Sequence, residues 1–226
     1  MATKEKSPKQ VTVYGRLSFP TFTAQAAFER SQSGSYPVKD VAEAKPDFQL
    51  LLEPGQLDKV RTHIVDVFLP YCQEQHKAGE KKDSLDPKEV KQLLEQVNDD
   101  EFDGNFNIPL KPVHEKSKDL APETVATLKV IGNKGTDIEE RAIVNDEDEL
   151  AVNDGSIVSF PIILPIDKTV HQMYPGAYVA ATINLYAYHN GKLPGFSAGG
   201  SVAIFKADGD RFGGGVTIDE DEIFAD

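Results

Sequence analysis

The stretch from Tyr174 to Lys206, YPGAYVAATINLYAYHNGKLPGFSAGGSVAIFK, constrains the fold of this chain more than any other. Its first half alternates with period two. Val179, Ala181, Ile183, Leu185 and Ala187 share one side, and Tyr178, Ala180, Thr182, Asn184, Tyr186 and Tyr188 share the other. Side chains alternate across a β-strand, so this segment predicts a strand with one apolar face turned to a core. Asn190-Gly191 marks a turn, because both residues tolerate positive φ. The chain then returns as a second strand over Phe196 to Lys206. Gly195, Gly199 and Gly200 predict a bulge, a bend or the close approach of another backbone there. A long hairpin with a bent second strand suits a curved sheet, and small barrels need such curvature to close.

Earlier segments supply the remaining strands and a helical insertion. Val11 to Phe19 predicts a strand with Val11, Val13, Gly15, Leu17 and Phe19 on one side and Thr12, Tyr14, Arg16 and Ser18 on the other. Pro20 to Ala44 shows little periodicity and reads as a long loop of the kind often used in binding. Pro46 to Glu53 predicts a strand closed by a Pro54-Gly55 turn. From Leu57 to His76 the spacing turns helical through Leu57, Val60, Ile64, Val67, Phe68, Tyr71 and Cys72, with Pro70 expected to kink or end the helix. Asp86-Pro87 opens a second helix striped by Val90, Leu93, Leu94 and Val97. Between these helices Lys77, Lys81 and Lys82 read as a solvated linker. Glu123 to Ile131, the turn Gly132-Asn133-Lys134-Gly135 and Ile138 to Val144 predict a hairpin. Gly155 to Leu164 predicts an edge or bulged strand, interrupted by Pro161. The expected fold is mainly β, an antiparallel Greek-key barrel with a helical insertion around residues 57–97.

Charge is lopsided, with Lys+Arg 24 against Asp+Glu 37 and a formal net charge of -13. The last eight residues, Asp219 to Asp226, hold five acids and no base, yet the body without them is still acidic. Any basic groove must therefore be local. The first ten residues form a flexible basic arm with Lys4, Lys6 and Lys9, either solvated or touching phosphate, and they lack the apolar stretch of a secretory signal. No apolar run approaches the ~20 residues of a membrane span. The single cysteine, Cys72, permits no internal disulfide and falls on the helical apolar stripe, so a buried inert thiol is expected. These features read as a soluble intracellular protein. No phosphate-binding loop is present, and the five histidines have no zinc spacing. The acids from Asp146 to Glu149 read as a solvated turn, and no nucleophile stands in a catalytic pattern. No enzyme, cofactor or metal site is expected.

Three phenol rings on the polar face of one strand, Tyr178, Tyr186 and Tyr188, admit two readings. They pack under a loop or across strands, or they form a stacking platform for bases. Four segments, in order, bear on the choice. They are Val13-Tyr14-Gly15-Arg16-Leu17-Ser18-Phe19-Pro20; the strand and helix from Asp47 to His76; Tyr174-Pro175-Gly176-Ala177-Tyr178-Val179 through Leu185-Tyr186-Ala187-Tyr188; and the Phe212-Gly213-Gly214-Gly215 exit to an acidic end with Phe224. In these the chain resembles the bacteriophage single-stranded DNA-binding proteins of T7-like and Enc34-like phages, although its acidic tail is short for a T7-like protein.

The resemblance implies an OB-fold over residues 11–211 and a Gly-rich exit and acidic tail over 212–226. It implies sequence-independent single-stranded DNA binding in phage replication, recombination and repair, in the cytoplasm of the infected host. It also implies that the tail residues Asp219, Glu220, Asp221, Glu222, Ile223, Phe224 and Asp226 recruit replication proteins: a polymerase, helicase/primase, nuclease or recombinase. A homodimer is left open. Physical reasoning assigns base stacking to Tyr14, Tyr186 and Tyr188, with Tyr178 and Phe196 as further candidates. Arg16, Lys129, Lys192 and Lys206 are the phosphate candidates, since they sit on or beside strands. Two other classes stay open: a structural phage protein, and a protein-interaction module using the tyrosines as hot spots.

Overall fold

A computed structural model describes residues 7–100, 107–138, 140–142, 162–164, 173–191 and 193–212. The elements in chain order are β1 (Gln10–Thr21), α1 (Ala24–Gln32), a 3-10 turn (Val41–Glu43), β2 (Asp47–Leu52), α2 (Pro54–His63), a π-helical turn (Ile64–Phe68) and α3 (Leu69–Lys77). Then come α4 (Pro87–Val97), β3 (Leu110–Pro112), α5 (Glu115–Leu120), β4 (Ala126–Ile131), β5 (Glu140–Ala142), β6 (Ile162–Leu164), β7 (Tyr178–Asn190) and β8 (Leu193–Ala207).

The long hairpin forms as its alternation requires, with β7 and β8 paired antiparallel from Tyr178↔Ala207 to Asn190↔Leu193. Ser201 is the extra residue between Thr182↔Val202 and Ile183↔Gly200, so the glycine-rich run does mark a bulge. β1 pairs with β7 on one edge and β2 on the other, and β2 pairs with β4. A short parallel contact, Val130↔Ala198 and Ile131↔Gly199, then joins β4 to β8. The circuit β1-β2-β4-β8-β7 returns to β1, giving a closed five-stranded mixed barrel of OB-fold type. Closure leaves those five strands with few free edges.

Inward residues of all five strands meet one core: Val13, Leu17, Leu50, Leu52, Leu128, Val130, Ile183, Leu185, Phe196 and Ala198 are buried. The helical insertion adds Leu57, Val60, Ile64, Phe68 and Cys72, one face of a continuous helix, together with Val90, Leu93 and Val97 of α4. Asp86 caps α4 through the Lys88 and Glu89 amides, and Glu89 reaches back to the Asp86 amide.

Four expectations need correction. Pro20 to Ala44 is not one loop, because α1 lies within it, capped by Thr23 and buried through only Ala24 and Ala27. Of the two outcomes expected at Pro70, a kink or an end, the end does not occur. The turn before it widens, with the Leu69 amide donating to Ile64, and the helix passes through the site of the missing donor. Phe19 does not continue the inward row of β1; its φ is 44° and its ring is exposed against His114. Finally, β5 does not fold back on β4. It pairs parallel with β6, which pairs parallel with β8 at Ile162↔Ala203 and Ile163↔Ile204.

Candidate functional site

β7 spans 13 residues, so at about 3.4 Å per residue Tyr178 lies about 27 Å from Tyr186. The outer-face tyrosines therefore divide into two groups. Tyr186 and Tyr188 stand together, opposite Ser197 and Gly195 of β8. The ring of Tyr188 lies over Gly195, where a Cβ would come within 2.8 Å of its Cζ. The ring of Tyr186 lies over Gly199, where a Cβ would sit 3.5 Å from its Cε1. Glycines that weaken β8 as a strand thus leave room for two phenol rings against the sheet. Both tyrosines are half-buried, each with part of its ring left to solvent. The Tyr188 hydroxyl donates to the Asn107 carbonyl at 3.5 Å. Burial raises its pKa, against the opposing hydrogen bond from Ser197 and with a smaller push from Tyr186, so the phenol is neutral at physiological pH.

Cations border this pair on both sides. On the β1 side is a cleft of about 400 Å³, lined by Lys9, Lys81, Lys82, Asp83 and Ser84 together with residues 186–189 of β7. The Lys9 carbonyl accepts from the Leu185 amide, extending the β1–β7 ladder by one bond. On the other side, past β8, is a cleft of about 500 Å³ that includes Arg30, Lys45, Lys129, Lys134, Glu43, Asp47 and Ile131. Ile131 pairs with Gly199, the seat of Tyr186, so the second cleft adjoins the tyrosines. Two strand spacings, about 10 Å, separate β7 from β4. Asp47 is buried and binds both Arg30 and Lys129, the latter at 2.8 Å, while Lys134 pairs with Glu43. The barrel flank therefore runs from lysines to tyrosines to a second basic cleft, in a chain of net charge -13.

Two residues expected at the site lie elsewhere. Arg16 is 5% exposed, its guanidinium covered on the outer face of β1. It donates to the carbonyls of Gly176 (3.2 Å), Leu120 (3.2 Å) and Asp210 (2.8 Å), and its charge lies over the rings of Phe212 and Tyr178. With Glu123 Oε1 a further 3.5 Å partner, the guanidinium is already occupied by protein groups. Residues 208–212 cover the outer face of β1 at this point, which alternation alone does not reveal. Phe196 is fully buried against Phe68, with centroids 5.6 Å apart, so it stacks on the core and not on a base.

Tyr14 and Tyr178 are exposed but form a separate small cleft with Gln56, Glu53 and Thr124, and Lys59 sits over the Tyr14 ring. Lys129 is on the basic flank, and Lys206 is exposed near the Tyr178 end of the hairpin. Lys192 and the tail residues 219–226 lie outside the described residues. Lys81, Lys82, Arg30, Lys45 and Lys134 are the flank cations that sequence reasoning passed over. Their placement depends on contacts over long sequence distances, and only their lysine and arginine identity was a signal. Among the described residues no cluster of three or more metal-ligating side chains occurs, and no helix is long and apolar enough to cross a membrane.

No family model matches the chain, and no curated protein matches it by sequence. Solved structures of similar fold include the single-stranded DNA-binding protein from bacteriophage Enc34 in complex with single-stranded DNA. It is 13% identical, with a TM-score of 0.49, over 91% of this chain and 90% of that one. A C-terminally truncated form of the Enc34 protein is also 13% identical, with a TM-score of 0.47, over 90% and 89%. The gp2.5 single-stranded DNA-binding protein encoded by bacteriophage T7 is 12% identical, with a TM-score of 0.43, over 96% and 95%.

Proposed function

We propose that this chain binds single-stranded DNA without sequence preference, in the phage replication, recombination or repair that its sequence resemblance implies. The observation that carries this reading is the pair of tyrosine rings laid on Gly195 and Gly199 and bordered on both sides by basic clefts. Every base has a π-face, so stacking on phenols is indifferent to sequence, while lysines follow the phosphates. A duplex keeps its bases stacked inside and cannot use the rings. Fold-level analogy favours the second basic cleft, whereas the tyrosine pair lies on the fourth barrel strand, against the fifth. OB barrels bind oligonucleotides on their second and third strands and the loops after the first and fourth. In this chain those parts are β2, β4, residues 22–46 and the β7–β8 turn.

The test is fluorescence anisotropy of a labelled oligothymidylate with wild type and with the Tyr186→Ala/Tyr188→Ala variant, using duplex DNA as competitor. At about 1–3 kcal/mol per stacked base, the double variant is expected to weaken binding by about 2–6 kcal/mol. Its fold should persist, because Ile183 and Leu185 on the inner face are untouched. Wild-type affinity in the double variant would refute the reading. A protein-docking use of the same tyrosines would instead show no oligonucleotide binding at any salt concentration.

A further inference from the structure

We infer that the loop joining α3 to α4, residues 78–86, is a second jaw of this interface, with Lys81 and Lys82 as phosphate contacts and Asp83 as the residue that positions them. The inference rests on the strand-binding reading above and assigns it a part that the barrel itself does not contain.

Asp83 has φ 51°, a left-handed conformation that only Phe19 shares among the described non-glycine residues. Aspartate is one of the few side chains that adopt it readily. Its carboxylate is buried. Oδ1 accepts from the Ala187 amide at 2.8 Å, and Oδ2 accepts from Lys9 Nζ at 2.5 Å. Ala187 is where β7 outruns β1. Asn184 still pairs with Gln10, the Leu185 amide takes the Lys9 carbonyl, and the Ala187 amide has no β1 partner left. The Asp83 carboxylate takes the place of the missing strand carbonyl, fastening the loop to β7 between Tyr186 and Tyr188. Neighbouring contacts hold the rest of the loop. Leu85 is buried with its amide on the Cys72 carbonyl at 3.2 Å, and Ser84 Oγ lies 3.3 Å from His76 Nδ1.

Lys81 and Lys82 stand just before this latch, exposed and lining the tyrosine cleft. Neither pairs with an acid among the described residues, in contrast to Lys9, Lys129 and Lys134. Two unneutralised cations held by a buried anchor beside two half-buried rings are what a strand lying on those rings would meet with its phosphates.

The experiment measures oligothymidylate affinity across salt concentration for wild type, Tyr186→Ala/Tyr188→Ala, Lys81→Gln/Lys82→Gln, Asp83→Gly, Asp83→Asn, and Asp83→Gly combined with the lysine pair. Each lost single-strand phosphate contact lowers the slope of log K against log salt by about 0.7, so the lysine pair should lose about 1.4. If that contribution vanishes near 1 M salt, the loss is about 25-fold at 0.1 M. Glycine accepts positive φ, so Asp83→Gly removes the latch without strain. It should lose a comparable factor, and adding the lysine substitutions to it should cost little more. Asparagine keeps both the conformation and an acceptor for Ala187, so Asp83→Asn should restore most of the affinity. If the tyrosine variant weakens binding while the lysine pair leaves the slope unchanged, the second jaw is refuted alone. Additive losses from Asp83→Gly and the lysine pair, or wild-type affinity in Asp83→Gly, refute the positioning role. If the tyrosine variant binds normally, the strand-binding reading falls and the jaw with it.

Discussion

Arg16→Lys should behave as a stability variant and not as a DNA-binding variant. The guanidinium serves three carbonyls, and its charge lies 4.5 Å from the Phe212 centroid and 5.3 Å from that of Tyr178. An ammonium keeps the charge but not the planar fork, and it cannot span three acceptors on separate segments. Losing two hydrogen bonds from a charged donor would cost about 3–6 kcal/mol in a dry site. Leu120 and Asp210 are exposed residues whose carbonyls can take water, so we discount this to about 2–3 kcal/mol. With a urea slope of about 2 kcal/mol/M, the midpoint should fall by roughly 1–1.5 M. Circular dichroism in urea reads that shift, and oligothymidylate anisotropy at low denaturant reads binding. Affinity within twofold of wild type and an unchanged salt slope are expected. A wild-type midpoint combined with weakened binding and a shallower slope would show Arg16 to be a phosphate contact and refute the buried assignment.

Two further outcomes follow from the core. Phe196→Ala should cost about 3–5 kcal/mol of stability, as expected for a buried phenylalanine, while the folded fraction keeps its DNA affinity; wild-type stability with lost binding would return Phe196 to the stacking surface. Burial first, and then the charge of Asp83, pushes the Cys72 thiol up to about 12 from 9.0, so iodoacetamide at pH 8 should label it only on unfolding, and rapid labelling of the native protein would place the sulfur at the surface. Because the folded pKa is the raised one, its stabilising contribution is complete below pH 9 and lost as pH rises toward 12, a loss that Cys72→Ala should remove.

Legibility in the sequence tracked the range of the interaction that decides each feature. Period-two alternation placed the β7–β8 hairpin and the buried row Val11, Val13 and Leu17, because pleat and core act on adjacent residues. Helical spacing found α2 through α4, but a local rule about proline missed the π-helical turn that carries the helix through Pro70. α1 was missed because small alanines bury its inner face, so no large apolar stripe announced it; Thr23 as a cap was the one available signal. In the candidate site, alternation placed Tyr186 and Tyr188 on one outer face and left their use open. Arg16 was placed correctly on the outer face and still misassigned, since a segment nearly two hundred residues later folds over it. Lys81 and Lys82 were passed over for the converse reason. Their cleft exists only because Asp83 meets Ala187 across 104 residues of sequence.

Under the proposed function, an acidic chain has to hold its cations with acids and still present them to phosphate. Asp47 shows how. It is buried, so it stays with the fold, while the Arg30 and Lys129 side chains that it orients are 42% and 46% exposed. The outer sides of both cations face solvent, so a phosphate can approach either one while Asp47 keeps its hold on the inner side. Asp47 neutralises only one of the two charges, and each cation is held in place without a long-range positive field. Beyond a Debye length of about 8 Å at physiological salt, a strand would sense mainly the net charge of -13. Such a surface draws little of its affinity from distant charge and most of it from contact. On that reading the tyrosine rings carry more of the binding than they would in a basic protein, and the salt dependence comes from the few cations that touch the strand.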